Sequence, residues 1–263
     1  MNLKEATALL AAAGIDSAQR EARILERHAP DAATFAAYVK RRATHEPVAY
    51  ILGRREFWSL EFEVSPAVLI PRPESETLVE TALKLFKQRP PETILDLGTG
   101  SGCLLIALLS EWPNAAGLGV DQSPQAIEIA RRNAARHVHG PRAMFRTNDW
   151  THDLRQRFDL IISNPPYITH AELLSLDRDV IGFEPRAALD GGEDGLEPLK
   201  RIADGLKTVM QPDARVIIEL GIDQAASAGR ILVNAGLKLV EIAKDLAGRD
   251  RAIVACLPHQ PGP

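Results

Sequence analysis

The chain has 263 residues, 45% of them hydrophobic and 25% charged, and a formal net charge of −4. That length holds one large core or a main domain with a small partner, and the ordinary composition is that of a soluble globular protein. The acidic balance argues against a protein whose main business is gripping nucleic-acid phosphates, although it leaves room for a local basic patch.

Residues 1 to about 50 read as helices throughout. The apolar patch Leu9 to Ala13 follows Glu5 and has neither the basic start nor the apolar length of a signal peptide. Asp16 is a candidate cap, with Gln19 completing a capping-box-like pair and Ala22, Leu25 and His28 following on one face. Pro30-Asp31 breaks that helix and starts another that carries Phe35, Tyr38 and Val39. A small helical domain without chemical groups of its own is expected to recognise a protein partner. Lys40-Arg41-Arg42 and Arg54-Arg55 read equally well as acidic-partner contacts and as solvated helix ends.

From Glu56 the period changes. Leu60, Phe62 and Val64 alternate with Glu61 and Glu63, and Ser65-Pro66 supplies a turn before Val68-Leu69-Ile70, so a hairpin is expected to link two domains. The boundaries that follow are a helical domain over 1–50, a hairpin linker over 51–72 and a catalytic domain over 73–263. Pro73 opens a helix with Leu78, Ala82, Leu85 and Phe86 on one side.

Strands and helices then alternate: Thr93 to Leu97, Cys103 to Ser110, Ala116 to Val120, and a helix capped by Ser123-Pro124. Met144 to Thr147, Leu160 to Ser163 and Val216 to Leu220 continue the strands. Leu196, Leu199, Ile202, Leu206 and Val209 mark a long amphipathic helix. A helix near Gln224 to Val233 and an edge hairpin, Leu237 to Ile242 with Ala252 to Cys256 around Gly248-Arg249-Asp250, complete a doubly wound, mostly parallel α/β sheet. Pro258 to Pro263 read as a tail.

Asp96-Leu97-Gly98-Thr99-Gly100-Ser101-Gly102 lies between the first strand of the alternating series and its helix. Glycines let the backbone turn sharply and let a ligand approach. A dinucleotide fingerprint would place its third glycine where this chain has Cys103, so the spacing fits S-adenosylmethionine, which has no phosphate to seat, better than NAD. Asp121 ends the next strand about twenty residues on, where a carboxylate accepts ribose hydroxyls. Asp149-Trp150 offers an adenine acceptor and an aromatic wall. Three successive strand ends thus present what an adenosyl ligand requires.

The run Phe158 to Ser163 stops at Asn164-Pro165-Pro166-Tyr167, the rim of a sheet where ligands bind. Neither proline has an N–H, and each holds the residue before it extended. The Asn164 side-chain oxygen and the Pro165 carbonyl then form a two-acceptor clamp for one NH2 group, with the Tyr167 ring as a platform for a planar amide or base. The same four residues also fit an ordinary turn.

Other constellations are weaker. Cys103 reads as a small buried filler rather than an acidified thiol, and His137-Val138-His139 as a helix end rather than a metal pair. No phosphate-cradling loop or Ser/His/Asp arrangement occurs. Cys103 and Cys256, the only cysteines, are too few for a disulfide framework and fit a reducing compartment. No run reaches membrane-spanning length, so a cytoplasmic protein without membrane contact is expected.

These residues carry a resemblance. Asp96 to Gly102, Asp121, Asn164 to Tyr167, Tyr50-Ile51-Leu52-Gly53, Pro66 to Glu74, Glu184-Pro185-Arg186 with Ala188-Leu189, and Lys244-Asp245-Leu246 with Gly248 to Arg251 resemble the release factor glutamine methyltransferases, the PrmC/HemK family. The likeness spans nearly the whole chain and implies the class I S-adenosylmethionine-dependent methyltransferase fold. It further implies methyl transfer to the side-chain amide of the glutamine in the Gly-Gly-Gln motif of class 1 peptide chain release factors. Under this resemblance Gly98, Thr99, Gly100, Ser101, Gly102, Asp121, Trp150 and Asn164 line the cofactor site, and Asn164, Pro165, Pro166 and Tyr167 hold the glutamine, with Asn164, Pro165 and Tyr167 catalytic. In the rigid Ile70-Pro71-Arg72-Pro73-Glu74 stretch, Arg72 and Glu74 are candidates to face the cofactor cleft. One departure is Gln211-Pro212-Asp213-Ala214, where such enzymes commonly have a Pro-Gly-Gly-like turn.

The resemblance implies no metal and no direct nucleic-acid partner. Two rivals stand beside it. N(6)-adenine methylation of DNA would use the same clamp on an exocyclic NH2 with a flipped base on Tyr167, and a non-catalytic cofactor-binding adaptor would need no clamp.

Overall fold

The computed structural model describes residues 1–258; the expected tail beyond Pro258 lies outside the described residues. Four helices open the chain: α1 (Leu3–Ala12), α2 (Ala18–His28), α3 (Ala32–Ala43) and α4 (Val48–Leu52). Asn2 and Glu5 form a reciprocal capping box on α1, and Asp31 accepts the Thr34 N–H at 2.7 Å on α3; each cap is worth about 1 kcal/mol. Asp16, expected to cap α2, does not. Ser17 occupies the cap position, but its hydroxyl donates to Glu21 at 2.7 Å and accepts from no N–H of the first turn. Ala6, Leu10, Ala22, Leu25, Phe35, Val39 and Ile51 pack as a core of this bundle. His28 is exposed rather than sharing that face.

The hairpin exists but its turn is elsewhere. Strands β1 (Arg54–Phe57) and β2 (Leu60–Glu63) pair antiparallel through Trp58-Ser59, whose φ angles of 52° and 57° are those of a type I′ turn. Val68 and Ile70 are not a strand. Val68 closes a turn, its N–H donating to the Ser65 carbonyl at 3.0 Å, and both bury their side chains with Tyr50, Val64, Ala126 and Ile129. The usual marker for such a turn, Asn-Gly, is missing, so the sequence concealed it.

A 3₁₀ turn (Pro73–Ser75) leads into α5 (Glu76–Leu85). The alternating series follows: β3 (Thr93–Leu97), α6 (Cys103–Glu111), β4 (Ala116–Asp121), α7 (Pro124–His137), β5 (Ala143–Thr147) and β6 (Phe158–Ser163). Next come the short helices α8 (His170–Leu173) and α9 (Arg178–Phe183), then α10 (Glu197–Val209), β7 (Met210–Glu219), α11 (Ala225–Asn234), β8 (Lys238–Lys244) and β9 (Asp250–Cys256).

The sheet order is β5-β4-β3-β6-β7-β9-β8, parallel except that β9 runs against both β7 and β8. One face is covered by α5, α6 and α7 through Leu78, Leu105, Ile106, Leu108, Ile127 and their neighbours. The other is covered by α10 and α11 through Leu199, Ile202, Leu206 and Leu232. These two layers leave the carboxyl ends of the strands open. The chain turns back at β3, with β4 on one side and β6 on the other, and that reversal is where open α/β sheets bind ligands. The Gln211-Pro212-Asp213-Ala214 departure is accommodated as a register shift between β6 and β7, at the opposite end of these strands.

Candidate functional site

Strand register builds the rim. Leu97 pairs with Ser163, and Ser163 pairs with Ile218, so the next residues, Gly98, Asn164 and Glu219, emerge side by side. The Ser163 hydroxyl donates to the Leu97 carbonyl at 2.7 Å, pinning the two central strand ends together.

Above them lies a cavity of about 330 Å³ lined by Gly98 to Ser101, Asp121, Asn148 to Trp150, Asn164, Pro166, and Ala67 to Leu69, Pro71, Arg72 and Ser75. Gly98 and Thr99 both donate backbone N–H groups to the Val120 carbonyl at 2.9 Å, which folds the glycine loop over β4. Gly98, with φ +73°, sits under the Trp150 indole, and a Cβ there would come to 3.2 Å of the ring. Trp150 itself holds a left-handed φ of 46°.

Asp121 accepts from Gly100 N–H at 3.0 Å with one oxygen and from Ser123 N–H at 2.9 Å with the other. Each carboxylate oxygen retains a second lone pair. Burial pushes the Asp121 carboxyl up, opposed by the two backbone bonds.

Beneath the loop, Asp96 is fully buried and accepts from the Thr99 hydroxyl at 2.6 Å. Desolvation raises it to about 7 against that bond. Its other oxygen, the Ser101 hydroxyl and the Trp150 Nε1 are buried without hydrogen-bond partners. Unpaired buried polar groups are costly, and two of these residues, Ser101 and Trp150, line the cavity, while Asp96 lies beneath it. Of the residues expected to hold an adenosyl cofactor, all but Gly102 line the cavity. Gly102, φ +82°, is instead the cap of α6, where a Cβ would meet Ile106 at 3.0 Å and Ala130 at 3.2 Å. Asp149 lines the cavity, and its carboxylate pairs with Arg201 at 2.5 Å.

The Asn164 amide nitrogen donates to the Ser75 hydroxyl at 3.0 Å, while its Oδ1 takes no hydrogen bond from any described residue. Pro165 is buried, and Pro166 lines the cavity. Tyr167 lies outside the lining, with its hydroxyl 3.5 Å from Glu219 and its pKa pushed by burial to about 12. Glycines fit closely around it: a Cβ at Gly191 would lie 2.8 Å from the Tyr167 backbone and one at Gly221 3.0 Å from its ring.

Arg72 lines the cavity, held by an ion pair to the buried carboxylate of Glu184, which also accepts the Ile70 N–H at 3.1 Å. Glu74 is exposed and does not line it. Burial pushes the Cys103 thiol up to about 12, so it stays protonated near neutrality. His137 is engaged by backbone: its Nε2–H donates to the Glu61 carbonyl at 2.7 Å. Among the described residues no group of three or more His, Cys, Asp or Glu is placed to hold a metal ion.

Sequence reasoning overlooked Ser75 and Glu219. Glu219 had a visible signal, since Val216-Ile217-Ile218-Glu219 is an apolar run ending in a polar residue, as are the runs ending in Asp121 and Asn164. Ser75 had none, because only folding brings it from the Pro-rich segment to the strand ends.

A family model described as "Methyltransferase small domain" matches residues 75–182, and one described as "PrmC N-terminal domain" matches residues 26–53. A release factor glutamine methyltransferase of Cereibacter sphaeroides is 41% identical over 97% of this chain and 97% of its own length. One of Rhodospirillum rubrum is 40% identical over 94% of the chain and 81% of its own. Among solved structures, a methyltransferase from Pyrococcus furiosus matches with a TM-score of 0.57 at 18% identity, covering 82% of this chain and 97% of that one, which is a likeness of fold.

Proposed function

The chain belongs to the release factor glutamine methyltransferase family, and we propose that it methylates the side-chain amide nitrogen of the glutamine in the Gly-Gly-Gln motif of class 1 peptide chain release factors. The observation that carries the reading is Asn164: it stands on the cavity wall with its amide nitrogen engaged by Ser75 and its oxygen unengaged. S-adenosyl-L-methionine, the cofactor, supplies a methyl group activated on a sulfonium and leaves as S-adenosyl-L-homocysteine.

An amide nitrogen is a poor nucleophile because its lone pair is delocalised into the carbonyl. Asn164 Oδ1 and the Pro165 carbonyl accept the two NH2 protons and return density to that nitrogen. Holding the nitrogen in one orientation is worth up to roughly 7–11 kcal/mol. Tyr167 and Pro166 flank the glutamine. Gly98, Thr99, Gly100, Ser101, Asp121 and Trp150 hold the cofactor, and Gly102 shapes their loop from below. As the nitrogen gains its fourth bond it becomes acidic, and its proton passes to water without a dedicated base.

Residues 1–50 contribute recognition of the release factor, 51–72 link, and 73–263 carry the chemistry. A bundle with its own core supports this division. No helix among the described residues is long and apolar enough to cross a membrane. A substrate that works in translation supports a cytoplasmic location.

Incubating the protein with labelled cofactor and a purified release factor, then mapping peptides, tests the reading. Label on the glutamine amide is expected, and Asn164→Ala is expected to abolish it while cofactor affinity falls by less than about tenfold. Label on adenine of added DNA, or none on the release factor, would overturn the assignment.

A further inference from the structure

The Asn164 amide can act as an acceptor clamp only if its oxygen, not its nitrogen, faces the substrate. We propose that Ser75 and Glu219 are positioning residues that fix this orientation, so that methyl transfer depends on a hydrogen-bond chain, buried at its Ser75–Glu219 link, that joins the 3₁₀ turn to the ends of β6 and β7. The proposal rests on the reading of Asn164 as the acceptor for the substrate amide.

The chain has a direction. Ser75 Oγ donates to Glu219 Oε2 at 2.5 Å, and Asn164 Nδ2 donates to Ser75 Oγ at 3.0 Å. A hydroxyl has one hydrogen. Once that hydrogen is committed to the Glu219 carboxylate, Ser75 has only lone pairs to offer, so the NH2 end of Asn164 must turn to it and the oxygen must turn away. Ser75 and Glu219 are each 2% exposed, which denies water the chance to substitute for either. Neither residue is placed to touch the cofactor's glycine loop by any hydrogen bond in the structure; they act through Asn164.

A protonated Glu219 reverses the logic. It would donate to Ser75, releasing the hydroxyl hydrogen toward Asn164 and letting the amide present its NH2 to a substrate that is itself an NH2 donor. The groups facing Glu219 are Ser75 and Glu74 of the 3₁₀ turn, Tyr167 after β6, Cys103 of α6 and Arg251 of β9. Burial dominates and raises Glu219 to about 7, with Glu74 adding to it and Ser75, Arg251 and Tyr167 opposing. The competent, ionised form therefore gains population as pH rises through neutrality.

A purely structural cluster would hold the strand ends together without any effect on the pH dependence of turnover. The test is kcat at saturating cofactor for release factor methylation from roughly pH 5.5 to 9, with cofactor Kd measured by calorimetry. The wild type is expected to lose turnover by about tenfold per pH unit below its acid limb. Glu219→Gln, which keeps the shape but not the charge, is expected to lower kcat at pH ~8 by about tenfold, abolish that limb and leave cofactor Kd within about threefold. Ser75→Ala is expected to do the same, with Ser75→Thr, which restores the hydroxyl, recovering turnover. A wild-type limb retained in Glu219→Gln, or wild-type kcat in Ser75→Ala, would overturn the positioning role alone. Absence of release factor methylation by the wild type would instead remove the function on which it rests.

Discussion

Asp121 holds the glycine loop and lines the cavity at the same time. Its two oxygens already accept Gly100 and Ser123 N–H groups at 3.0 and 2.9 Å, so the carboxylate proposed to accept the ribose hydroxyls is also the one that ties down the loop. Asp121→Ala should therefore raise cofactor Kd by at least about tenfold, since hydrogen bonds to a charged group are worth about 1.5–3 kcal/mol each. It should also lower the melting temperature of the cofactor-free protein, because two backbone donors lose their partner; calorimetry and thermal unfolding read the two effects separately. Asp121 and Asn164 were legible because they stand at the ends of buried strands, and Trp150 because it comes three residues after the edge strand β5, at spacings that a sequence displays. Ser75 was not, because its partner Glu219 is 144 residues away, and no local pattern encodes a contact of that separation. Gly102 was legible as a glycine but not as a packing one, since Ile106 and Ala130 reach it only once α6 and α7 are side by side.

The elements divide in the same way. Strands β3, β4 and β6 and helices α7 and α10 follow their apolar periods closely, because burial on both sheet faces leaves little freedom in composition. The first hairpin does not, because its turn relies on two non-glycine residues at positive φ. The segment after Asn164-Pro165-Pro166-Tyr167 is the least periodic of all, and there backbone packing replaces side-chain pattern. Ile168 donates to Leu189 at 3.1 Å, Gly191 donates back to Ile168 at 2.8 Å, and Gln224 reaches the Tyr167 carbonyl at 3.1 Å. The loop around Gly191 thus presses directly on the rim. Gly191→Ala would set a methyl 2.8 Å from the Tyr167 backbone and 2.8 Å from the Gly195 Cα, neither of which can swing aside as a side-chain tip could. Overpacking of this kind costs about 1–3 kcal/mol. The expected outcome is a displaced Tyr167 and turnover reduced by more than about tenfold with cofactor Kd little changed, and wild-type kcat in this variant would show that the rim tolerates the shift.

At the scale of the molecule, the hairpin between the helical bundle and the sheet is fastened to the cofactor loop by one buried residue. Asn133 of α7 accepts the Glu63 N–H at 2.7 Å and donates to the Glu63 carbonyl at 3.0 Å and the Ser101 carbonyl at 2.9 Å. Arg132, one residue earlier, also reaches Glu63, through a carboxylate pair at 2.8 Å, but half of its side chain is exposed. The two ties look alike in a contact map and differ in energy. An exposed pair is worth about 0–1 kcal/mol, whereas each buried backbone group stripped of its partner costs about 1–3 kcal/mol, and Asn133 serves three. Asn133→Ala should therefore lose several times the unfolding free energy that Arg132→Ala loses in denaturant titration. Because one of its bonds ends on Ser101, it should also weaken cofactor binding, which Arg132→Ala should leave intact. Equal losses in the two variants would mean that charge on the surface, rather than the buried amide, joins the hairpin to the glycine loop.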